Sequence, residues 1–547
     1  MRLAFDHNNP YASRRSATYA DTGMVAASQP QAAQAGRDML AKGGNAIDAA
    51  IATAAVLTVV EPTGNGIGGD AFALVWIADS AGGNSEGKGR LYGLDASGHA
   101  PAGLTRETVM SAGHDEMPLH GWTPVTVPGI PAAWAELSKS YGKLEFATLL
   151  EPAIRIARSG FPVSPIISQL WQRAEREFRA KADDPAIAPW LDAFAPEGQA
   201  PRAGERYRNE AQARTLESLA ASRCESFYRG ELAQKIDAFS RATGGYLRAE
   251  DLADYAPKWV EPISVNYRGV DVWEIPPSGQ GMVALMALNM MEGFDPSVRD
   301  DPQLLHRQFE AMKLAYTDGH HHITQADRMR VSVDALLSES YAETRRQLIG
   351  ERAIDPTPGE PSAGGTVYLA TADSDGNMVS YIQSNYHGFG SGVVVPETGI
   401  SLQNRGHGFS LDSAHVNVLA PGKQTFHTII PGFLTQDGAG LGPFGVMGGF
   451  MQPQGHMQVV MNLVDYGLNP QAALDAPRWQ WMGGRKIGIE PGYPLHLIRE
   501  MADRGHQISL AVDSTRYGRG QIILRDPQSG VYCGGTEPRT DSSIAVL

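Results

Sequence analysis

Residues 350–377 read GERAIDPTPGEPSAGGTVYLATADSDGN, and two textures meet inside them, between Gly365 and Thr366. Up to Gly365 the stretch holds three prolines, four glycines and almost no apolar side chain, which is the composition of a linker. From Thr366 onward, TVYLATADSDGNMVSYIQSNY alternates nearly residue by residue and predicts two strands joined by a turn at Asp375-Gly376. A linker that ends in Gly-Gly and passes at once into Thr and a strand also suggests chemistry. Were the Gly365–Thr366 bond cut, Thr366 would carry a free α-amine beside its hydroxyl. That amine titrates near 7.7–8, so one residue would supply nucleophile and general base together. Glycine before the cut gives the backbone the freedom that attack by a neighbouring hydroxyl requires. On those three residues alone, a plain loop entering a strand is the favoured reading.

Upstream, residues 24–30 (MVAASQP) read as a short strand after an irregular arm that reaches about Thr22. Residues 31–40 read as a helix stopped by Gly43-Gly44. Asn45 and Asp48 stand in capping-box positions before a nearly all-apolar helix to about Val59, which should be buried on most sides. The glycine loop EPTGNGIGGDAFALVW follows. Gly64, Gly66 and Gly69 satisfy G-x-G-x-x-G, but a dinucleotide site needs strand, loop, helix, and here the order is helix, loop, strand. No G-K-[ST] follows, so a nucleotide-binding enzyme is disfavoured. Residues 134–240 read as mainly helical, with a polar excursion at 183–208 taken as a surface insertion. Downstream of the linker, further strands are predicted near 428–434, 445–447 and after Gly520, with a helix at 451–464.

The 547 residues carry 46 basic and 60 acidic side chains, a net charge of −14, which repels nucleic acid. Cys224 and Cys533 form neither a zinc pattern nor a disulfide framework. The sequence shows no signal peptide and no run of about 18 apolar residues. A cytoplasmic protein with no nucleic-acid or membrane partner is expected. His320-His321-His322 lacks paired ligand spacing, and Ser278 in PPSGQG is not a G-x-S-x-G elbow, so neither a metal site nor a serine hydrolase is expected.

Residues 24–76 closely resemble the opening signature of gamma-glutamyltransferases. GGYLRAEDLADY (244–255), EIPPSGQG (274–281), EAMKLAYTD (310–318) and DYGLNPQAALDAPRW (465–479) are similar to later blocks of that family, in the same order. The resemblance implies an α/β fold: a four-layer αββα N-terminal-nucleophile hydrolase sandwich with two stacked, mainly antiparallel sheets. It implies a proenzyme that cuts itself before Thr366 into a large subunit, 1–365, and a small subunit, 366–547, together forming one folded domain. It implies that Ser384 hydrogen-bonds the nucleophile and that the amides of Gly448 and Gly449 form the oxyanion hole, with no cofactor. Thr366 would attack an amide carbonyl, and water or an amine would take the acyl group from the resulting acyl-enzyme.

The departures concern the substrate head. Ser97, in DASGHAP, stands where the family has an arginine for the α-carboxylate. Gly408, in QNRGHGFS, stands where it has an aspartate for the α-amine. A serine pair becomes His427-Thr428, and the stretch between Phe409 and His427 is shorter than the family's lid loop. Arg405 is a new positive charge able to grip a carboxylate or to form a structural ion pair. Ser97, Arg405, His427 and Thr428 are therefore the candidate substrate-binding residues. The expected activity is that of a gamma-glutamyltransferase or glutathione hydrolase-like enzyme acting on a small-molecule amide. The alternatives are an acylase for an oxamate-like or glutaryl amide and a non-catalytic homologue. The oligomeric state is left open, a homo-oligomer included.

Overall fold

Alternation around Thr366 builds the middle of a sheet. The computed structural model describes residues 15–79, 88–296, 298–356 and 365–547; linker positions 357–364 lie outside the described residues. The strand Gly365–Ala372 returns antiparallel as Met378–Tyr386. Asp373 closes the turn between them, its Oδ1 accepting from the amides of Asp375 and Asn377 at 2.9 and 3.0 Å. Met24–Ala27 pairs on one side of this hairpin and Asp70–Ala78 on the other. Ser543–Val546, Gly89–Ala96 and Lys258–Val260 complete a seven-stranded sheet. A second seven-stranded sheet runs in the order Thr18–Ala20, Tyr532–Thr536, Arg519–Arg525, Ala439–Met447, Gly432–Gln436, Val270–Glu274, Ile263–Tyr267. Every pairing in both sheets is antiparallel.

Strand side chains alternate between faces, so each sheet is apolar on both. Val367, Leu369, Val379 and Tyr381 point outward, onto helices that include Ala46–Val60, Ile130–Tyr141 and Phe146–Ser159. Tyr368, Ala370, Met378 and Ile382 point inward and meet Phe433, Met447 and Ile523 of the second sheet. Trp76 stacks on Phe433 across that interface, ring centroids 5.7 Å apart. The outer face of the second sheet, with Val272, Leu434, Phe444 and Val446, packs on Gly281–Glu292, Pro302–His322 and Met451–Val464. Each large side chain so buried contributes about 1.5–3 kcal/mol. The result is the four-layer αββα arrangement.

The capping box at Asn45 and Asp48 forms as expected, and every residue of Ala46–Val60 is buried. Two expectations fail. The arm before Thr22 is not wholly irregular, because Thr18–Ala20 pairs with Tyr532–Thr536. The excursion at 183–208 is not a surface insertion either. Its Trp190 and Phe194 are buried against Phe178, Trp171 and Phe389. Arg206–Tyr207 also pairs with Phe161–Pro162. The polar composition hid two aromatic anchors, and burial follows the anchors.

Candidate active site

Thr366 sits at an irregularity of its sheet. Gly365 pairs with Tyr386 and Val367 with Gln383, so Ser384 and Asn385 both face the single residue Thr366. Such a bulge re-aims side chains and is common beside active sites. Here it brings Thr366 Oγ1 within 3.1 Å of Ser384 Oγ, both residues being buried. Ser384 Oγ also accepts from the Tyr386 amide at 2.8 Å. Tyr386 has φ +76°, a left-handed conformation rare for a bulky residue and kept only where the surroundings over-determine it.

The glycine loop that failed as a nucleotide motif packs on this strand pair. A Cβ on Gly64 would lie 3.1 Å from the Thr366 carbonyl oxygen, and one on Gly69 would lie 2.4 Å from that of Ser384. Glycine is needed there for close backbone approach.

Ser384 pairs in register with Asp70, so the two side chains share a face of the sheet. Asp70 is fully buried and takes three hydrogen bonds and an ion-pair contact. Gln403 Nε2 and the Gly98 amide reach Oδ1 at 2.7 and 3.1 Å; His427 Nε2 and Arg405 Nε reach Oδ2 at 2.7 and 3.5 Å. Burial pushes its carboxyl up to about 7, against the pull of Arg405 and Gln403. Burial and the Arg405 charge hold the His427 imidazole well below its ordinary value, so it is neutral. Its Nδ1 faces the Ile429 amide at 3.4 Å, which assigns the proton to Nε2.

Arg405 is fully buried, with its guanidinium 4.3 Å over the Tyr386 ring and Nη1 donating to Thr428 Oγ1 at 2.7 Å. Burial lowers its pKa, and the Asp70 carboxylate opposes that. Its Nη2 is buried with no partner among the described residues. Native proteins rarely leave a buried guanidinium nitrogen unpaired, so an acceptor is called for at this point.

Gly448 and Gly449 lie between the strand Ala439–Met447 and the helix Met451–Val464. They have φ of +139° and +58°, which favour glycine, and a Cβ on Gly448 would come 3.1 Å from Gly518 Cα. Their carbonyls accept from Met451 and Gln452 at the helix start, so the local dipole favours negative charge beside them. Gln280 Nε2 donates to both the Gly449 and Thr428 carbonyls, at 2.9 and 2.5 Å, and staples this turn to the Arg405 cluster.

The structure thus gathers Thr366, Ser384, Arg405, His427 and Thr428 and ties the Gly448-Gly449 turn to them. It does not gather the Ser97 hydroxyl, which donates to Asp95 and accepts from Gln424; this stretch reaches the cluster through the Gly98 amide. Gly408 faces Thr425, and its carbonyl accepts from Asn417. Asp70 was missed from sequence, although a lone carboxylate opening the apolar strand DAFALVW was a visible signal. His320 stacks between Tyr316 and Phe426. Among the described residues His306, Glu310 and His506 bring three ligating atoms within 4.8 Å, but the Lys313 ammonium, 2.7 Å from Glu310, occupies the cation's place.

A four-layer αββα sandwich with a buried threonine on a central strand, preceded by Gly-Gly, defines an N-terminal-nucleophile amidohydrolase. The gamma-glutamyltranspeptidase family model matches residues 32–547, and the chain belongs to that family. A glutathione hydrolase-like YwrD proenzyme of Bacillus subtilis is 35% identical, over 95% of this chain and 97% of its own. An oxamate amidohydrolase proenzyme of Klebsiella pneumoniae is 33% identical, over 96% and 98%. Among solved structures, a cephalosporin acylase from Bacillus halodurans is 58% identical with a TM-score of 0.95, covering 100% of this chain and 99% of that one.

Proposed function

We propose that the chain matures by cleavage at Gly365–Thr366 and then hydrolyses or transfers the acyl group of small-acid amides through Thr366. Its preferred acyl groups end in a carboxylate and carry no α-amine. The observation that carries this reading is the unpartnered Nη2 of buried Arg405, on the cluster that shares the sheet face of Ser384 and Thr366. A carboxylate there would gain a charge-assisted contact. An ammonium has no counterpart: Ser97 and Gly408 replace the family's charged hooks, and Asp70 already takes three hydrogen bonds and the Arg405 ion pair. A buried unpaired charge costs several kcal/mol, so the zwitterionic γ-glutamyl head is disfavoured against a glutaryl head.

In this mechanism the Thr366 amine takes the hydroxyl proton and Oγ1 attacks the amide carbonyl. Ser384 aligns the hydroxyl, and the Gly448 and Gly449 amides receive the oxyanion. The fragments 1–365 and 366–547 are the large and small subunits. The names glutathione hydrolase-like, oxamate amidohydrolase and cephalosporin acylase among the relatives fit one machinery with varied acyl pockets. Both cysteines are free, as suits the cytoplasm, and no helix among the described residues is long and apolar enough to cross a membrane.

The test is to express wild type and Thr366→Ala, resolve the fragments and assay matched anilides. Wild type should split at Gly365–Thr366, Thr366→Ala should stay whole, and kcat/KM should be higher for the glutaryl than for the γ-glutamyl anilide. Full activity in an unsplit wild-type chain would refute the mechanism. A clear γ-glutamyl preference would refute the substrate assignment and restore the glutathione hydrolase reading.

A further inference from the structure

Two buried, oppositely charged side chains join the two sides of the proposed reaction centre, and the mechanism above uses neither. Glu61 caps the C-terminus of the all-apolar helix Ala46–Val60 and is fully buried. Its Oε2 accepts from Ser28 Oγ at 2.5 Å and its Oε1 from Arg519 Nη1 at 3.0 Å. Glu61 and Arg519 stand 458 positions apart, one on each side of the proposed cut. An exposed pair of this kind would contribute little, but here the side chains are 0% and 7% exposed.

On the Glu61 side the pair leads to the nucleophile. The Glu61 carbonyl accepts from the Gly64 amide at 3.3 Å and from Asn65 Nδ2 at 2.8 Å, which fixes the start of the glycine loop. The Gly64 carbonyl in turn accepts from the Asn385 amide at 3.2 Å, and Asn65 Oδ1 accepts from Gln383 Nε2 at 2.7 Å. Gln383 and Asn385 flank Ser384 on the strand paired with that of Thr366. Gly64 also packs on the Thr366 backbone: a Cβ there would lie 3.3 Å from the nitrogen that cleavage turns into the α-amine. On the Arg519 side the pair leads to the glycine turn. Arg519 pairs in register with Met447, the residue before Gly448, and a Cβ on Gly448 would meet Gly518 Cα at 3.1 Å. The stretch is fixed from behind as well. Arg478 Nη1 donates to the Tyr517 and Gly518 carbonyls at 3.0 Å each, while Glu537 Oε2 accepts from the Gly520 amide at 2.7 Å and from Arg478 Nη2 at 2.8 Å.

We propose that Glu61 and Arg519 are a positioning pair, whose ion pair holds the Gly448-Gly449 turn at a fixed separation from Thr366 so that the two amides meet the oxyanion without rearrangement. The proposal rests on the reading of Thr366 as nucleophile and of the glycine pair as oxyanion hole. It adds what keeps the two in step once the chain is cut, since the nucleophile's strand and the glycine turn lie in different sheets. Those sheets meet through apolar contact, which is non-directional, whereas a buried, charge-assisted hydrogen bond has one preferred geometry. Neither residue is assigned a contact with the reacting atoms. Their effect is on alignment, and a misplacement of about 1 Å at a reaction centre is enough to cost rate.

The test compares matured wild type with Glu61→Gln, Arg519→Met and the double variant Glu61→Gln/Arg519→Met. The readouts are glutaryl anilide turnover, Tm, and inhibition by glutarate and by 4-boronobutanoate. Glutarate occupies the acyl site alone. With the boronate, Thr366 Oγ1 bonds to boron, the hydroxyl proton passes to the α-amine, and the tetrahedral anion presents an oxygen to the glycine turn. Each single variant should lose about tenfold in kcat and in boronate affinity, with KM and glutarate affinity held within about twofold. Removing both charges should return Tm toward the wild-type value, because no charge is left stranded, while boronate affinity stays low. An unfolded or uncut single variant leaves the double variant to decide, and a stably folded double variant that stays uncut counts as the same loss at Thr366. Boronate and glutarate affinities that fall together, a boronate affinity that recovers with Tm, or no change at all would overturn the proposal and leave the proposed function standing. A wild type that accepts only phenylboronate, which needs no acid head, loses the glutaryl reading alone, and the variants are then compared with that probe. A wild type that forms no adduct with either boronate has no nucleophile facing the turn, and the proposed function and this proposal fall together.

Discussion

Ser384 Oγ accepts from the Tyr386 amide and lies 3.1 Å from Thr366 Oγ1, within hydrogen-bond reach of that hydroxyl. Ser384→Ala should slow both maturation and turnover while leaving the thermal transition nearly in place. The expected cost is about 2–4 kcal/mol in the barrier, the scale of a lost oriented bond in a catalytic site. Unchanged kcat in this variant would remove Ser384 from the mechanism. Asp70 gives a prediction in pH. With its carboxyl raised to about 7, it is protonated below that value and charged above it. Protonation removes the anion beside Arg405, leaving more positive charge for an acid head. The inhibition constant of glutarate should therefore fall as pH drops from 8 to 6, by up to about tenfold. Asp70→Asn should lose most of that dependence, whereas protonation of the Thr366 amine would persist in it. Identical profiles in the two proteins would show that Asp70 does not tune the pocket.

At the scale of the element, the helix Pro302–His322 carries the family-like block EAMKLAYTD and a buried network. Lys313 Nζ donates to Glu310 Oε1 at 2.7 Å and to the Ile354 carbonyl at 3.1 Å, and it approaches His506 Nδ1 at 3.4 Å. Glu310 Oε2 accepts from the Ile354 amide at 3.1 Å. His506 and His306 are 2.8 Å apart, and His306 Nε2 reaches the Gly350 carbonyl at 3.0 Å. The helix thereby pins residues 350–354, the opening of the linker. Removing one partner of a buried ion pair leaves an uncompensated charge, so Lys313→Met should destabilise by about 3–5 kcal/mol. Glu310→Gln/Lys313→Met should recover much of this, because the loss lies in the stranded carboxylate. Thermal unfolding of the two variants checks the point, and an unshifted Tm in Lys313→Met would refute it.

For the whole molecule, the proposed cut falls inside a sheet whose strands alternate between the two fragments. Of the small fragment, the strand Gly365–Ala372 from Thr366 onward and Met378–Tyr386 lie between Met24–Ala27 and Asp70–Ala78 of the large one, and Ser543–Val546 covers the far side of Met24–Ala27. In the second sheet four strands from beyond Thr366 are flanked by Thr18–Ala20 on one side and Val270–Glu274 on the other. Separation would break ladders in both sheets and expose the apolar layer between them. The cut fragments should co-elute on size-exclusion chromatography in native buffer and part only in denaturant. Two separate native peaks would contradict this topology.

What the sequence determined by itself was local or carried in blocks: the linker ending at Gly365, the hairpin turn at Asp375-Gly376, the Asn45–Asp48 cap, and the threonine and glycine pair of the family pattern. These signals need only neighbouring residues, because turns, caps and alternation depend on contacts a few positions apart. The glycine loop was visible too, but its purpose was not, since Gly64 is required by the distant Thr366 backbone. Composition also misread residues 183–208, because the burial of Trp190 and Phe194 depends on Phe178 and Phe389. The cluster around Arg405 and Asp70 was decided only in three dimensions. Asp70 meets His427 across 357 positions of chain and Gln403 across 333, contacts set by strand register and by which face each side chain takes. Arg405 could be named from sequence as a new charge, but whether it served a surface pair or a buried pocket depended on the low-dielectric site the two sheets enclose. There a second charge partner and an unpaired nitrogen acquire an energetic weight that they would lack in water.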